Sequence, residues 1–124
     1  MRLKAWDKKH NEMLRVVSIN FDEKFIRGLS EIESNLDIES SYNFEDIEFL
    51  YPTGLKDKYG KDIYQGHIVK KDNGVLDYVF YEDATAGFRV QNGILTLKAG
   101  SNVSYFEGEV IGNIYENNEL IEDL

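Results

Sequence analysis

The chain has 124 residues, enough for one domain with its own hydrophobic core. Its 14 basic and 23 acidic residues give a formal net charge of -9, the wrong sign for a protein that binds nucleic acid mainly by neutralising phosphates. Without cysteine there is no disulfide framework, thiolate nucleophile or cysteine-bound metal, and we expect a cytoplasmic protein because no apolar run suits a signal peptide or a membrane span.

The elements, taken in chain order, begin with alternating residues that predict short β-strands. Residues 13–21 predict a first strand, residues 22–24 a turn and residues 25–27 a returning strand. Alternate residues of a strand share a face. The two predicted faces of the first strand consist of Arg15, Val17, Ile19 and Phe21 and of Leu14, Val16, Ser18 and Asn20.

Residues 30–44 alternate most clearly, with apolar side chains at even positions and carboxylates at odd positions. The apolar positions are Ile32, Leu36, Ile38, Tyr42 and Phe44, and the acidic positions are Glu31, Glu33, Asp37 and Glu39. We interpret this pattern as one or two short edge strands, whose outward carboxylates would discourage edge-to-edge pairing. A mobile acidic loop is the alternative.

Turn residues bound the next elements. Residues 43–46 predict a capped helical turn, and residues 47–51 predict a strand that ends at Pro52, which lacks a backbone donor. Tight hairpins are predicted at 72–74 and 92–93, where Asn-Gly supplies the positive φ angles of a type I′ turn.

The C-terminal part of the chain completes the predicted fold. Residues 103–106 and 110–115 predict a last pair of strands, and residues 117–118 begin a short acidic tail with one helical turn. In total the chain predicts about eight short, mostly antiparallel strands with little helix, in a single domain of residues 1–124. That pattern favours a small barrel or a folded-over sheet.

The segment from Thr53 to Val69, TGLKDKYGKDIYQGHIV, is the most specific stretch of the chain. It resembles the signature of the YopX family of phage and prophage proteins, which reads approximately TGLKDKNGKEIYEGDIV. Residues 2–7, RLKAWD, and residues 110–117, VIGNIYEN, resemble the two ends of the same family. The resemblance implies a mainly β fold, a phage or prophage source and an unassigned biochemical role.

Two positions depart from the family pattern. Pro52 stands where the family has an aromatic residue, and Gln65-Gly66-His67 replaces its Glu-Gly-Asp. The second change removes two carboxylates from the most enzyme-like part of the signature. It argues against acid–base chemistry there and for polar residues that position a turn.

The glycines of this segment invite comparison with a phosphate-binding loop, which needs four residues between its glycines and then Lys and Ser or Thr. Five residues separate Gly54 from Gly60, and Asp62 replaces the hydroxyl, so we predict a β-turn at 57–60 instead. The apolar residues of the segment, Leu55, Ile63, Ile68 and Val69, are predicted core. The polar residues kept as candidates for binding are Thr53, Lys56, Asp57, Asp62, Tyr64 and His67.

No catalytic residue, cofactor or metal ligand is predicted. His10 and His67 are the only histidines, and neither lies in a metal-ligand motif, so we expect surface or turn positions for both. The Gly-x-Ser-x-Gly signature of a serine nucleophile is absent.

Three functional hypotheses follow. The first is a non-enzymatic accessory protein that binds a host or phage protein or forms a homo-oligomer, which the eight Tyr residues favour. The second is an acidic decoy of a host DNA-binding protein, based on the carboxylates of residues 31–39. The third is a small enzyme or ligand-binding β-barrel that uses Asp57, Asp62, Tyr64 and His67. Direct nucleic-acid binding and membrane association are not expected.

Overall fold

The computed structural model describes residues 2–32, 38–90, 93–94, 97–99, 104–106 and 108–121. The secondary structure of these residues consists of short β-strands and three 3-10 helices, at Phe44–Asp46, Asp83–Thr85 and Asn118–Leu120. The predicted mainly β fold with little helix is confirmed. Two compact units divide the chain, and we call them the N-terminal unit (Arg2–Tyr51) and the C-terminal unit (Pro52–Leu124). The single-domain organisation stays a prediction.

The N-terminal unit is one antiparallel sheet with the strand order β4-β3-β2-β1-β5. Its strands are β1 (Lys4–Asp7), β2 (Glu12–Asn20), β3 (Phe25–Ser30), β4 (Ser40–Asn43) and β5 (Ile47–Leu50). The buried side chains of its core are Ala5, Leu14, Val16, Ile26 and Ile47. Burial of these side chains supplies the main driving force for folding of the unit.

A β-bulge in β2 changes the faces predicted for that strand. Pairing with β3 passes from Val16↔Gly28 to Ser18↔Arg27, which leaves Val17 as an extra residue. Because a bulge inserts one residue, it reverses the alternation beyond it. Ile19 therefore packs against the core cluster that contains Val16, and the prediction that it faces the opposite side was wrong.

The edge strand predicted within residues 30–44 is confirmed. It is β4, which pairs only with β3 in the described sheet. Two residues of the predicted apolar face are exposed to solvent, Ile32 at 72% and Ile38 at 63%. Residues 33–37 lie outside the described residues. The predicted turn at 22–24 and the helical turn at 44–46 are both present.

The C-terminal unit contains two sheets, with the strand orders β11-β10-β9-β8-β14 and β12-β13-β6-β7. The strands are β6 (Pro52–Lys56), β7 (Asp62–Tyr64), β8 (His67–Lys71), β9 (Leu76–Glu82), β10 (Gly87–Val90), β11 (Gly93–Ile94), β12 (Leu97–Ala99), β13 (Ser104–Phe106) and β14 (Gly108–Asn113). The buried core cluster consists of Ile63, Val69, Val79, Val90 and Phe106. Leu55 packs against this cluster and Ile68 is fully buried, so the predicted core residues of the segment are confirmed.

The hairpin at 72–74 joins β8 to β9 as predicted, but the turn is not type I′. Gly74 has a φ of +86°, whereas Asn73 is not among the residues with positive φ. The amide of Gly74 donates to the carbonyl of Lys71, so the four-residue turn 71–74 ends in a left-handed glycine, as in three-residue hairpin loops. In the second predicted hairpin Gly93 pairs with Val90 as part of β11, and residues 91–92 lie outside the described residues.

Within the described residues the last two strands are not paired with each other, contrary to the sequence prediction. β13 pairs antiparallel with β12 and parallel with β6, while β14 pairs antiparallel with β8. Only position 107 separates β13 from β14, which is too short a connection for a hairpin. Gly108 begins β14, where an added Cβ would lie 2.6 Å from the carbonyl oxygen of Lys70.

Candidate functional site

The segment 53–69 forms β6, a loop, β7, a tight turn and the start of β8. Near its beginning the pairing of β6 with β7 is irregular. The hydroxyl of Thr53 donates to the carbonyl of Ile63 at 2.8 Å and accepts from the amide of Leu55 at 3.1 Å. Gly54, between them, has a φ of +83°. The Thr53 side chain therefore supplies hydrogen bonds where the irregularity interrupts the backbone pairing of β6 with β7.

Asp57 is the centre of the loop and is only 3% exposed. Its Oδ1 accepts hydrogen bonds from the backbone amides of Tyr59 and Lys61, each at 2.9 Å. Its Oδ2 accepts from the amide of Val110 in β14, also at 2.9 Å. A single carboxylate thus fixes the loop and attaches it to the last strand. Hydrogen bonds to an ionised acceptor are the stronger kind, so this is an anchor of the fold.

The turn that Asp57 begins is the β-turn predicted at 57–60. The amide of Gly60 donates to the carbonyl of Asp57 at 3.0 Å, and Gly60 has a φ of +86°. The amide of Lys58 donates to the carbonyl of Gly108 at 3.0 Å, which is a second attachment of the loop to β14.

Tyr64 and His67 flank the tight turn at 65–66. The Nδ1 atom of His67 accepts a hydrogen bond from the amide of Tyr64 at 2.9 Å, and the two rings meet edge to face at 5.7 Å. Gly66 has a φ of +88°. His67 is 8% exposed, so of the two expected positions, surface or turn, it occupies the turn.

Lysine–aspartate pairs form the outer side of the segment. Lys56 Nζ lies 2.7 Å from Asp62 Oδ1, and Lys58 Nζ lies 2.9 Å from Asp72 Oδ1. The hydrogen bond to Asp72 raises the pKa of Lys58 above its ordinary value of 10.5, because it stabilises the ammonium form. Solvent-exposed pairs of this kind add little stability.

The closing segment 110–117 uses its asparagines in the same way. Asn113 Oδ1 accepts from the amides of Tyr115 and Glu116 at 3.0 and 2.8 Å. Asn117 Oδ1 accepts from the amide of Asn113 at 3.2 Å. Sequence reasoning predicted a strand at 110–115 and a family resemblance at 110–117, but it did not predict these asparagine contacts, although Asn in a turn is a recognisable local signal.

The two signature segments meet in space. β8 and β14 are paired, with Val69 opposite Val110 and His67 opposite Asn113. The amide of Ile114 continues the contact by donating to the carbonyl of Gly66 at 2.8 Å. Of the six binding candidates, Thr53, Asp57 and His67 bond to the backbone, and Lys56 and Asp62 form a surface pair. Tyr64 takes part through its amide and its ring.

A second group of polar residues, which sequence reasoning did not single out as a site, lies in the N-terminal unit. The Asp7 carboxylate is 1% exposed, and its Oδ1 accepts from the amides of Lys9 and His10 at 3.0 and 3.3 Å. Its Oδ2 lies 2.8 Å from Nδ1 of His10, whose side chain is 68% exposed. The expected surface turn position of His10 is confirmed. The Asp-x-x-His spacing was the available signal.

This pair opens onto a cavity of about 340 Å³, which we call the Asp7 cavity. The 3-10 helix Phe44–Asp46 follows β4, and the amide of Lys8 attaches it to this region by donating to the carbonyl of Asp46 at 2.9 Å. Besides Asp7 and His10, the cavity is lined by Lys9, Glu12, Ser40, Ser41, Tyr42, Asn43 and Asp46.

Comparison with known proteins places the chain in a family. The family model of the YopX protein matches residues 2–122, nearly the whole chain. The chain belongs to the YopX protein family. A solved structure is also similar to it, the crystal structure of protein EF1440 from Enterococcus faecalis, with 28% sequence identity, a TM-score of 0.68, and coverage of 98% of this chain and 97% of that chain. A search of curated proteins gave no match.

Four aromatic rings of this YopX-family protein form a row in the N-terminal unit. Phe21 and Phe44 meet edge to face at 6.2 Å, Phe44 and Phe49 at 5.5 Å, and Phe49 lies 6.3 Å from Tyr51. The ends of the row are open to solvent, since Phe21 is 73% exposed and Tyr51 is 52% exposed. We call these residues the aromatic row.

The acidic residues 31–39 of the YopX-family chain are partly engaged by basic neighbours. Glu31 lies 3.0 Å from Lys4 Nζ, and Glu39 lies 3.1 Å from Arg27 Nε. Glu33 and Asp37 lie outside the described residues. Among the described residues, no group of three or more His, Asp and Glu side chains is placed to hold a metal ion. No helix in the described ranges is long and apolar enough to cross a membrane.

Proposed function

We propose that this YopX-family protein is a phage- or prophage-derived accessory protein of the bacterial cytoplasm. It acts without catalysis, by binding a host or phage protein or by assembling with itself. The aromatic row carries the proposal, because Phe21 and Tyr51 present large apolar surface to solvent at its two ends. Aromatic side chains are enriched at protein interfaces and often dominate their binding energy.

The signature segments support a non-catalytic role. Thr53, Asp57 and His67 direct side-chain atoms at backbone groups, as structural residues do. A general acid or base needs an atom within hydrogen-bond reach of a substrate proton. The polar residues of the signature thus support the fold, and the binding surface is expected outside it.

The experiment compares the native chain with a Phe21→Ser/Tyr51→Ser variant. Light scattering after size-exclusion chromatography measures self-association, and an affinity pull-down from a bacterial lysate measures partner binding. We expect the native chain to form an oligomer or a specific complex, and the double substitution to weaken that association by about tenfold or more, as for loss of aromatic hot spots.

Tyr59→Ser is the matched control. Tyr59 is 72% exposed but lies in the C-terminal unit, outside the aromatic row, so its removal is expected to leave association unchanged. A native chain that is strictly monomeric and captures no protein would contradict the proposed function. Equal association by the native and double-substituted chains would show that the aromatic row is not the surface used.

A further inference from the structure

His10 lines the Asp7 cavity, and its ring is bonded to the Asp7 carboxylate. The ring nitrogen Nδ1 lies 2.8 Å from the buried Asp7 carboxylate, and because a carboxylate has only acceptor atoms we assign the proton between them to Nδ1. In the neutral imidazole the other nitrogen, Nε2, is then an acceptor. Two backbone amides hold the carboxylate in place, so the ring is held in turn.

The charges around the cavity favour a cation. Glu12 and Asp46 add two carboxylates to Asp7, and Lys9 is the only Lys or Arg among the lining residues. The ammonium of Lys9 already lies 3.3 Å from Asp46 Oδ2, with its side chain 65% exposed. The Asp46 carboxylate therefore already accommodates a cationic group. The flexible side chain of Lys9 can move away from Asp46 when a better-placed cation binds.

A second cavity adjoins the first. It also measures about 340 Å³, shares Asn43 with the Asp7 cavity, and is lined by Glu23, Lys24, Phe44 and Glu45. Phe44 belongs to the aromatic row and meets the exposed ring of Phe21. A polar, acidic cavity thus lies beside an apolar surface that also carries acidic residues. A basic polypeptide segment with apolar neighbours has the complementary pattern.

We propose that the Asp7 cavity receives the guanidinium or ammonium group of a basic side chain from a partner protein, while apolar neighbours of that side chain rest on Phe44 and Phe21. The acceptors for the cation are the Asp46 and Glu12 carboxylates and Nε2 of His10. This inference rests on the protein-binding role proposed above, and it specifies the chemistry of the partner. The occupant is a basic segment of another protein rather than a second copy of this acidic chain.

The experiment titrates the isotope-labelled chain with the capped peptide acetyl-Phe-Arg-Leu-amide and follows the ring protons of His10 and the amide of Asn43 by NMR. The reference probe is the same peptide with citrulline in place of arginine, which keeps the shape and removes the charge. We expect saturable shifts with the arginine peptide and none with the citrulline peptide.

Two substitutions in the cavity are expected to act in opposite directions. Asp46→Asn removes a partner of the cation and should weaken binding of the arginine peptide by about threefold or more, whereas Lys9→Gln removes the competing ammonium and should strengthen binding by about threefold. Asp83→Asn and Lys61→Gln make the same charge changes in the C-terminal unit, and they should change the affinity by less than about 1.5-fold.

Several results would overturn the inference. They are equal binding of the citrulline peptide, equal effects of the control variants, and an equal affinity for free arginine amide, which would indicate a small amine as ligand. Self-association that Lys9→Gln or Asp46→Asn alters would point to a second copy instead.

If the arginine peptide does not bind while a complex that depends on Phe21 and Tyr51 persists, the cavity inference fails and the proposed function stands. If the peptide binds but the chain forms no oligomer or complex, the proposed function fails.

Discussion

Substitution of Asp57 tests whether the signature segment is a scaffold. The carboxylate accepts three backbone hydrogen bonds, two from its own loop and one from Val110, and it is almost fully buried. Asp57→Ala removes all three acceptor contacts and leaves three amides to find water or remain unpaired. With about 1–1.5 kcal/mol for each bond in a partly buried site, we expect a loss of about 3–5 kcal/mol in the free energy of unfolding.

Asp57→Asn refines this prediction because the amide side chain keeps one oxygen. That oxygen can retain the two donors of the loop, Tyr59 and Lys61, but the NH2 group then faces the amide of Val110. We expect a loss of about 1–3 kcal/mol and a selective loss of hydrogen-exchange protection at Val110. The exchange measurement remains informative if Asp57→Ala does not fold.

Urea unfolding of the native and substituted chains measures these losses. Asp62→Ala is the matched control in the same segment, since it removes a carboxylate whose partner is the exposed ammonium of Lys56, and we expect a change below about 1 kcal/mol. The reasoning would be refuted if Asp57→Ala and Asp62→Ala had equal effects, or if the Val110 amide stayed protected in Asp57→Asn.

Three further predictions concern neighbouring residues. Asp72→Asn should lower the pKa of Lys58 toward 10.5, as measured by NMR titration; the stabilising contribution of this pair is present below pH 10.5 and is lost as the pH rises through the raised pKa of the folded state. His67→Leu leaves the Tyr64 amide without its acceptor and should cost about 1–3 kcal/mol, more than His67→Asn, and equal losses by urea unfolding would contradict this role. Gly112→Ala places a Cβ against the side-chain oxygen of Asn117 and should cost about 1–3 kcal/mol, whereas Gly74→Ala meets open space and should cost only about 1 kcal/mol for its positive φ; a smaller loss for Gly112→Ala would be inconsistent with the contact.

Local chemistry explains which parts of the fold were predictable. The turn at 57–60 follows from Gly60, and the burial of Ile63 and Val69 follows from their position in short apolar strands. The bulge at Val17 could not be predicted in the same way, because it depends on how β2 pairs with β3 and not on the residues of β2 alone. The pairing of β14 with β8 is likewise a long-range choice.

The same distinction applies to the candidate site. The sequence identified Asp57 and His67 as polar residues of interest but not their partners, since the Val110 amide that binds Asp57 is 53 positions further along the chain. His10 was predicted to lie at the surface or in a turn, and its bond to Asp7 spans only three residues. Its significance comes from the burial of Asp7 and from the approach of β4, which only the folded sheet provides.

The hydrogen-bonding capacity of a side chain decides whether it can serve a ligand. Asp57 has about four acceptor positions, and three are occupied by backbone amides, so an incoming ligand would have to break bonds that hold the loop to β14. His10 differs from Asp57. Its ring is bonded to Asp7 through Nδ1, and its side chain is largely exposed to solvent. A residue such as His10 can bind a partner without breaking the hydrogen bonds that stabilise the fold. The signature segment of this YopX-family chain therefore supports its fold, and the partner recognition proposed above would lie in the N-terminal unit.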